Sequence, residues 1–165
     1  YAVGKLASER YLQIFCEQGI KATALRLFNC YGPGQNMENM KQGMVSIFLS
    51  QAIANQHVVV KGSPDRFRDL VYIDDVVNSF IATLDNSESR YNCYNVGTGI
   101  KTTVGELIKK IDSLLPYNIS IKYAGSTPGD QFGIYADNQK IFNQLGWSPT
   151  ILIDEGIQKM INSTL

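Results

Sequence analysis

The sequence predicts an α/β fold, on three observations. Segments with helical periodicity alternate with short β-branched or aromatic runs along the whole chain. The 165 residues are 44% hydrophobic, enough to bury a core. No repeat, low-complexity linker or shift of composition marks a second domain.

From Tyr1 to Gln18 the apolar residues Leu6, Ala7, Tyr11, Ile14 and Phe15 recur at three- and four-residue steps, which predicts a helix stopped at Gly19. Lys21 to Cys30 contains an apolar run that reads as one largely buried strand, broken by the loop Tyr31-Gly32-Pro33-Gly34-Gln35. Met44 to Asn55 reads as a helix and His57 to Lys61 as a strand, ended by the turn Gly62-Ser63-Pro64-Asp65. Asp69 to Tyr72 is extended. Asp74 and Asp75 can cap the next helix, whose apolar side is Val76, Val77, Phe80, Ile81 and Leu84. Tyr91 to Val96 is a strand closed by Gly97-Thr98-Gly99, and Thr103-Val104-Gly105-Glu106 fits a capping box that opens a helix to Leu115. Ile119 to Tyr123 alternates as a strand does, and Asn138 to Leu145 and Asp154 to Met160 read as two final helices.

Fifteen basic residues balance fifteen acidic ones. No global field therefore draws the chain to nucleic acid or anionic lipid, and a phosphate-bearing ligand must be held by a few placed cations and amides. No apolar run approaches the roughly 18 residues of a membrane span. The chain opens on Tyr1, already inside a helical pattern and with no charged-then-apolar leader, as a truncated or cleaved product would. Cys16, Cys30 and Cys93 form no C-x-x-C pair and His57 is the one histidine, so neither a disulfide scaffold nor a metal site is expected. Three reduced thiols suit a cytoplasmic protein. No strand–Gly-x-Gly-x-x-Gly–helix unit occurs, and Gly97-Thr98-Gly99 is only a fragment of one, so a phosphate cradle for a dinucleotide is missing.

Three segments carry candidate chemistry. Tyr1-x-x-x-Lys5 puts a phenol and an ammonium on one helix face, with Cβ atoms about 5–6 Å apart. An ammonium there favours the phenolate, making a usable base, and could also donate to a ribose hydroxyl; the alternative is a surface tyrosine at a helix end. Arg26-Leu27-Phe28-Asn29-Cys30-Tyr31-Gly32-Pro33-Gly34-Gln35 is a strand ending in Asn29 before a Gly/Pro loop, where open α/β sheets place ligands. Asn29 can donate to phosphate and accept from a hydroxyl, or simply close an Asx turn. Arg66-Phe67-Arg68-Asp69 offers Arg68 to a pyrophosphate, or to Asp69 or Asp74 in a structural ion pair.

The order of these segments, together with Tyr94-Asn95-Val96-Gly97-Thr98-Gly99, Pro128-Gly129-Asp130, Tyr135-Ala136-Asp137 and Leu145-Gly146-Trp147-Ser148-Pro149, resembles the extended short-chain dehydrogenase/reductase family of NAD-dependent epimerases and dehydratases from end to end. Within it the segments look most like the UDP-glucose 4-epimerase group. The resemblance implies the C-terminal part of a Rossmann-type enzyme whose N-terminal dinucleotide-binding half is absent. Residues 1–35 would end the Rossmann core, as catalytic helix, strand and loop. Residues 36–165 would be mainly a smaller substrate-binding α/β region, with some segments returning to the core.

Roles follow from the resemblance position by position. Tyr1 would take a proton from a sugar hydroxyl while hydride passes to NAD, and Lys5 would hold the nicotinamide ribose. Leu27 and Phe28 would approach the nicotinamide by their backbone. Asn29 and Arg68 would contact the diphosphate of a UDP-sugar, Gln42, Gly43 and Met44 the uridine, and Val59 with its neighbours the base pocket. Three positions depart from the family: Ser126-Thr127-Pro128 where an arginine usually precedes Gly-Asp, Lys61 where many relatives stack an aromatic ring, and Ile134 where some epimerases have tyrosine. They bear on which sugar nucleotide is bound.

The implied activity is nucleotide-sugar epimerisation, with 4,6-dehydratase or reductase chemistry as the near alternative. A non-catalytic ligand-sensing or interaction domain is the alternative of another class, and retention of Tyr1, Lys5, Asn29 and Arg68 counts against it. The intact protein would be a cytoplasmic homodimer through the Tyr1–Lys5 helix. The chain alone would not turn over substrate, and its cut sheet edge would drive self-association or pairing with its other half.

Overall fold

The computed structural model describes residues 1–40, 43–84, 90–125, 129 and 131–164. Helix α1 (Ala2–Glu17) leads into strands β1 (Ala22–Leu27) and β2 (Asn29–Tyr31), and α2 (Met44–Asn55) and β3 (His57–Val60) follow the Gly/Pro loop. Short strands β4 (Phe67–Arg68) and β5 (Leu70–Tyr72) run straight into α3 (Ile73–Leu84). Strand β6 (Tyr91–Val96) is followed by β7 (Thr102–Thr103), α4 (Val104–Leu114) and β8 (Ser120–Tyr123). Strand β9 (Gly133–Ile134) and helices α5 (Gln139–Leu145) and α6 (Ile153–Thr164) complete the α/β architecture.

The run expected as one buried strand is split, and the split organises the molecule. β1 pairs in parallel with β6, Leu27 opposite Val96. The Phe28 amide still donates to the Val96 carbonyl at 3.0 Å, but the Asn29 amide donates to the Asp69 carbonyl at 3.1 Å. From there β2 runs parallel to β5, Asn29 opposite Leu70. Among the described residues β6 is the only partner of β1, which explains why β1 is half-buried to exposed rather than buried.

Two cores lie on either side of β5, because successive strand residues point to opposite faces. Leu70 and Tyr72 join the larger core, where Leu49 of α2, Val58 and Val60 of β3, Ile108 and Ile111 of α4 and Met160 of α6 are buried. Val71 joins the smaller one with Val76, Tyr94, Val96, Ile141 and Trp147. β3 pairs in parallel with β8, and β4 lies between β7 and β9 in a small mixed sheet. That sheet has two-residue strands, too short to leave a periodic signal.

The capping box forms as expected: Thr103 Oγ1 accepts from the Glu106 amide at 3.1 Å, and Glu106 Oε2 accepts from the Thr103 amide at 2.8 Å. Helix α3 differs from expectation. It starts at Ile73, so Asp74 and Asp75 sit in its first turn. Asp75 turns inward instead of capping, and its carboxylate accepts from the Thr150 amide and hydroxyl and from the Ile151 amide at 2.8–3.0 Å. Of the expected apolar side only Val76 is buried, and Val77, Phe80, Ile81 and Leu84 are exposed.

Candidate active-site cleft

Open parallel sheets leave a crevice beyond the carboxyl ends of strands that diverge to different neighbours. The exchange of partners between Leu27 and Asn29 creates such a place. A cleft of about 830 Å³ opens there, within the usual range for a ligand site. Its walls are Tyr1 at the N-cap of α1, Lys5 and Glu9 from α1, the Arg26–Cys30 stretch, and Gln35, Gly43, Asn95 and Ile134.

Tyr1 and Lys5 share the helix face that borders the cleft. The Lys5 Nζ lies 5.4 Å from the Tyr1 ring centroid, and the Lys5 amide donates to the Tyr1 carbonyl at 3.1 Å. One and two turns on from Tyr1, the same face carries Lys5 and Glu9. Glu9 is bound by both arms of a guanidinium: Arg26 Nε donates to Oε1 at 2.8 Å and Nη2 to Oε2 at 2.6 Å. Those hydrogen bonds hold the Glu9 carboxyl below the usual carboxylate range and push Arg26 up. The pair ties α1 to β1 at the cleft wall.

At the opposite wall Gly43 precedes α2 with φ 96°, a conformation glycine adopts freely. Its carbonyl accepts from the Ile47 amide and from Ser46 Oγ, each at 3.0 Å. A side chain at this position would collide with the Gln35 amide and the Ser46 hydroxyl. Among the described residues Gln35 Oε1 is buried without a hydrogen-bond partner.

Six of the residues singled out in the sequence therefore meet in one cleft: Tyr1, Lys5, Leu27, Phe28, Asn29 and Gly43. Arg68 reaches it indirectly, since its backbone pairs with Ile134, which lines the wall. Arg68 Nη1 donates to the Phe67 carbonyl at 2.8 Å, and burial, with Arg66 nearby, lowers its pKa. Met44 packs against the larger core, and Val59 is half-buried outside the cleft with its amide donating to Gln51 Oε1 at 2.8 Å. Gln42 and Ser126-Thr127-Pro128 lie outside the described residues.

Sequence reasoning gave no role to Glu9, Gln35 or Asn95, and offered Asp69 only as an ion-pair partner for Arg68. For Glu9 the signal was present, because Tyr1, Lys5 and Glu9 continue one four-residue step. Asp69 left none. It is fully buried and receives the Thr98 amide and hydroxyl, the Gly99 amide and the Ala136 amide. The Thr98 and Gly99 amides of the Gly97-Thr98-Gly99 turn are thus taken by a carboxylate of the protein itself.

A model of the NAD dependent epimerase/dehydratase family matches residues 1–97, and this chain belongs to that family. NAD is the family's cofactor. The chain is 32% identical over 164 residues to dTDP-4-dehydro-6-deoxyglucose reductase of Escherichia coli, covering 99% of this chain and 51% of that protein. It is 31% identical over 163 residues to a putative UDP-glucose 4-epimerase of Methanocaldococcus jannaschii, covering 98% and 52%. Among solved structures it superposes on UDP-glucose 4-epimerase of Thermotoga maritima in complex with UDP-glucose, with a TM-score of 0.92 and 31% identity over 99% of this chain and 52% of that one. The chain thus spans about half the length of the curated relatives it matches. Among the described residues no helix is long and apolar enough to cross a membrane, and no cluster of His, Cys, Asp and Glu could hold a metal.

Proposed function

We propose that the full-length protein is an NAD-dependent epimerase acting at C4 of a UDP-sugar. The observation that carries this reading is the meeting of Tyr1, Lys5, Leu27, Phe28 and Asn29 in one cleft at the partner change of β1 and β2. The names of relatives support the substrate class, since UDP-glucose 4-epimerases recur among them.

The residues present suit the nicotinamide–ribose end of the cofactor. Lys5 offers an ammonium to ribose hydroxyls, and Leu27 and Phe28 offer an apolar wall. Asp69 occupies the amides of Thr98 and Gly99, so the cofactor's pyrophosphate is to be held by sequence outside this chain. NAD supplies acceptance and return of hydride at the sugar carbon. Tyr1, as phenolate, takes the proton of the sugar hydroxyl and gives it back, with the Lys5 charge favouring the phenolate. Asn29 and Arg68 hold the diphosphate, and Gln42, Gly43, Met44 and Val59 attend the nucleoside.

Purified full-length protein is incubated with UDP-glucose and, separately, UDP-N-acetylglucosamine, after bound NAD has been measured by absorbance and mass. Interconversion at C4 supports the proposal and names the sugar. Bound NAD without a C4 change favours dehydratase or reductase chemistry, the reading suggested by the Escherichia coli reductase at 32% identity. A protein without NAD and without turnover would be a ligand-sensing or interaction domain. We further propose a cytoplasmic homodimer. The free thiols of Cys16, Cys30 and Cys93 suit a reducing compartment, and the exposed Val3, Tyr11 and Ile14 of α1 suit self-association.

A further inference from the structure

Three groups of alternating charge share one side of the cleft: the Lys5 ammonium, the Glu9 carboxylate and the Arg26 guanidinium. Lys5 and Glu9 are four residues apart on α1, within reach of an ion pair on the helix surface. That pair is not made. Both carboxylate oxygens of Glu9 are held instead by Arg26 across the gap to β1, at 2.6 and 2.8 Å. Among the described residues Lys5 takes part in no ion pair, and its Nζ faces the Tyr1 ring. A bidentate guanidinium fork outcompetes a single ammonium for a carboxylate, because it supplies two parallel charge-assisted hydrogen bonds.

We propose that Arg26 is a positioning residue: by holding both oxygens of Glu9, it keeps the Lys5 ammonium available to Tyr1 and to the ribose. This rests on the reading of Tyr1 and Lys5 as the proton-transfer pair. Arg26 is one residue from Leu27, so the same contact also fixes the distance between the helix that carries the pair and the backbone that faces the cofactor. Other charged or titratable groups face the cluster: Arg10 on α1, which acts on Glu9, and Tyr91 and Cys93 on β6, which act on Arg26. Of these, only Arg10 carries a positive charge near Glu9. It points along α1 to Gln13, with Nη1 donating to Oε1 at 2.8 Å, and does not replace the Arg26 fork.

The sign of the effect can be derived. Without Arg26, Glu9 is an unpaired carboxylate four residues from Lys5. It attracts the ammonium and offsets its charge, so the phenolate of Tyr1 is less favoured and activity needs a higher pH. Removing Glu9 as well takes away the competitor and restores the Lys5 charge.

The test is the pH profile of turnover by the full-length protein, with wild type, Arg26→Gln, Glu9→Gln and the double variant compared on the same sugar nucleotide. In Arg26→Gln the acidic limb is expected to move up by roughly half a pH unit or more, with NAD still bound. Glu9→Gln alone should leave the limb in place or move it down, and the double variant should return it to the wild-type position. An unmoved limb in Arg26→Gln overturns the proposal, as does an upward shift that persists in the double variant, since a merely structural role of the ion pair predicts that Glu9→Gln cannot rescue it. Arg26→Met, which keeps the aliphatic stem, replaces Arg26→Gln if the latter does not fold, with the same criteria. Tyr1→Phe separates the two levels. If it retains activity the reading of Tyr1 falls; if it is inactive and Arg26→Gln is unshifted, only the role of Arg26 falls.

Discussion

Asp69 receives Thr98 twice: Oδ1 accepts the Thr98 backbone amide at 2.7 Å and its hydroxyl at 2.6 Å. The other oxygen accepts the Gly99 amide at 2.8 Å and the Ala136 amide at 3.0 Å. One carboxylate with no exposure thereby joins β5, the turn after β6 and the segment before α5. Its carbonyl meanwhile fixes the Asn29 amide, so the same residue holds a cleft residue from behind. Asn in its place would turn an NH2 group toward N–H donors. Asp69→Asn in the full-length protein should lose on the order of 3 kcal/mol of stability, read as a lowered urea midpoint at unchanged slope. A midpoint within error of wild type would show that the four bonds contribute little.

Trp147 is the one tryptophan in the sequence and lies buried in the smaller core, its Nε1 donating to the Asp75 carbonyl at 3.0 Å. Trp147→Phe removes that donor and leaves unfilled volume beside Val76. The expected cost is roughly 2–4 kcal/mol, followed by far-UV circular dichroism during chemical denaturation because the fluorophore is gone. A variant that also carries Thr150→Ala should be weaker still, since Thr150 donates to the carboxylate of the same Asp75.

What was legible in the sequence followed the range of the interactions. Tyr1, at the N-cap of α1, is one turn from Lys5, and Thr103 and Glu106 are three residues apart at the start of α4, so spacing alone disclosed the proximity of each pair. A role for Tyr1 and Lys5 came only with the resemblance. The four-residue step from Lys5 to Glu9 was equally local, but its partner Arg26 is supplied by another element, so the ion pair was invisible. Asp69 and Asp75 read as strand edge and helix cap, because their partners lie 29 to 76 positions away. The apolar side of α3 was legible as a pattern, yet burial depends on what packs against it, and only Val76 finds cover among the described residues. The partner change at Phe28 is also non-local. It depends on β5 and β6 arriving from later in the chain, and it is what converts a strand end into a cleft.

The α4 capping box gives a pH-dependent prediction. Hydrogen bonds from the Thr103 amide and hydroxyl lower the Glu106 pKa from its ordinary value. A carboxyl with a depressed folded pKa adds stability that is present above the unfolded value, near 4.5 here, and is lost as pH falls through the folded value. Glu106→Gln should therefore be less stable than wild type at pH 7, and the gap should close as pH drops below about 4. Thr103→Ala should cost about 1 kcal/mol even in acid through the lost N-cap acceptor, and somewhat more at pH 7, where its hydroxyl also donates to the Glu106 carboxylate. A gap between wild type and Glu106→Gln that does not narrow in acid would place its origin outside the carboxylate.

Gly43 tests the proposed uridine wall apart from the chemistry. Its φ of 96° and the crowding of Gln35 and Ser46 leave no room for a β-carbon. Gly43→Ala must displace either the Gln35 amide or the start of α2, both at the cleft. In the proposed reading this raises KM for the UDP-sugar by about tenfold, the effect of a misfit near 1.4 kcal/mol, while kcat changes less. Tyr1→Phe should do the reverse, lowering kcat by roughly 10²–10⁴ with NAD still bound, because it removes the proton acceptor and leaves the binding surface nearly intact. The two variants are compared by steady-state kinetics on the same sugar nucleotide. A large fall of kcat in Gly43→Ala with unchanged KM would assign this wall to the reacting sugar instead of the nucleoside.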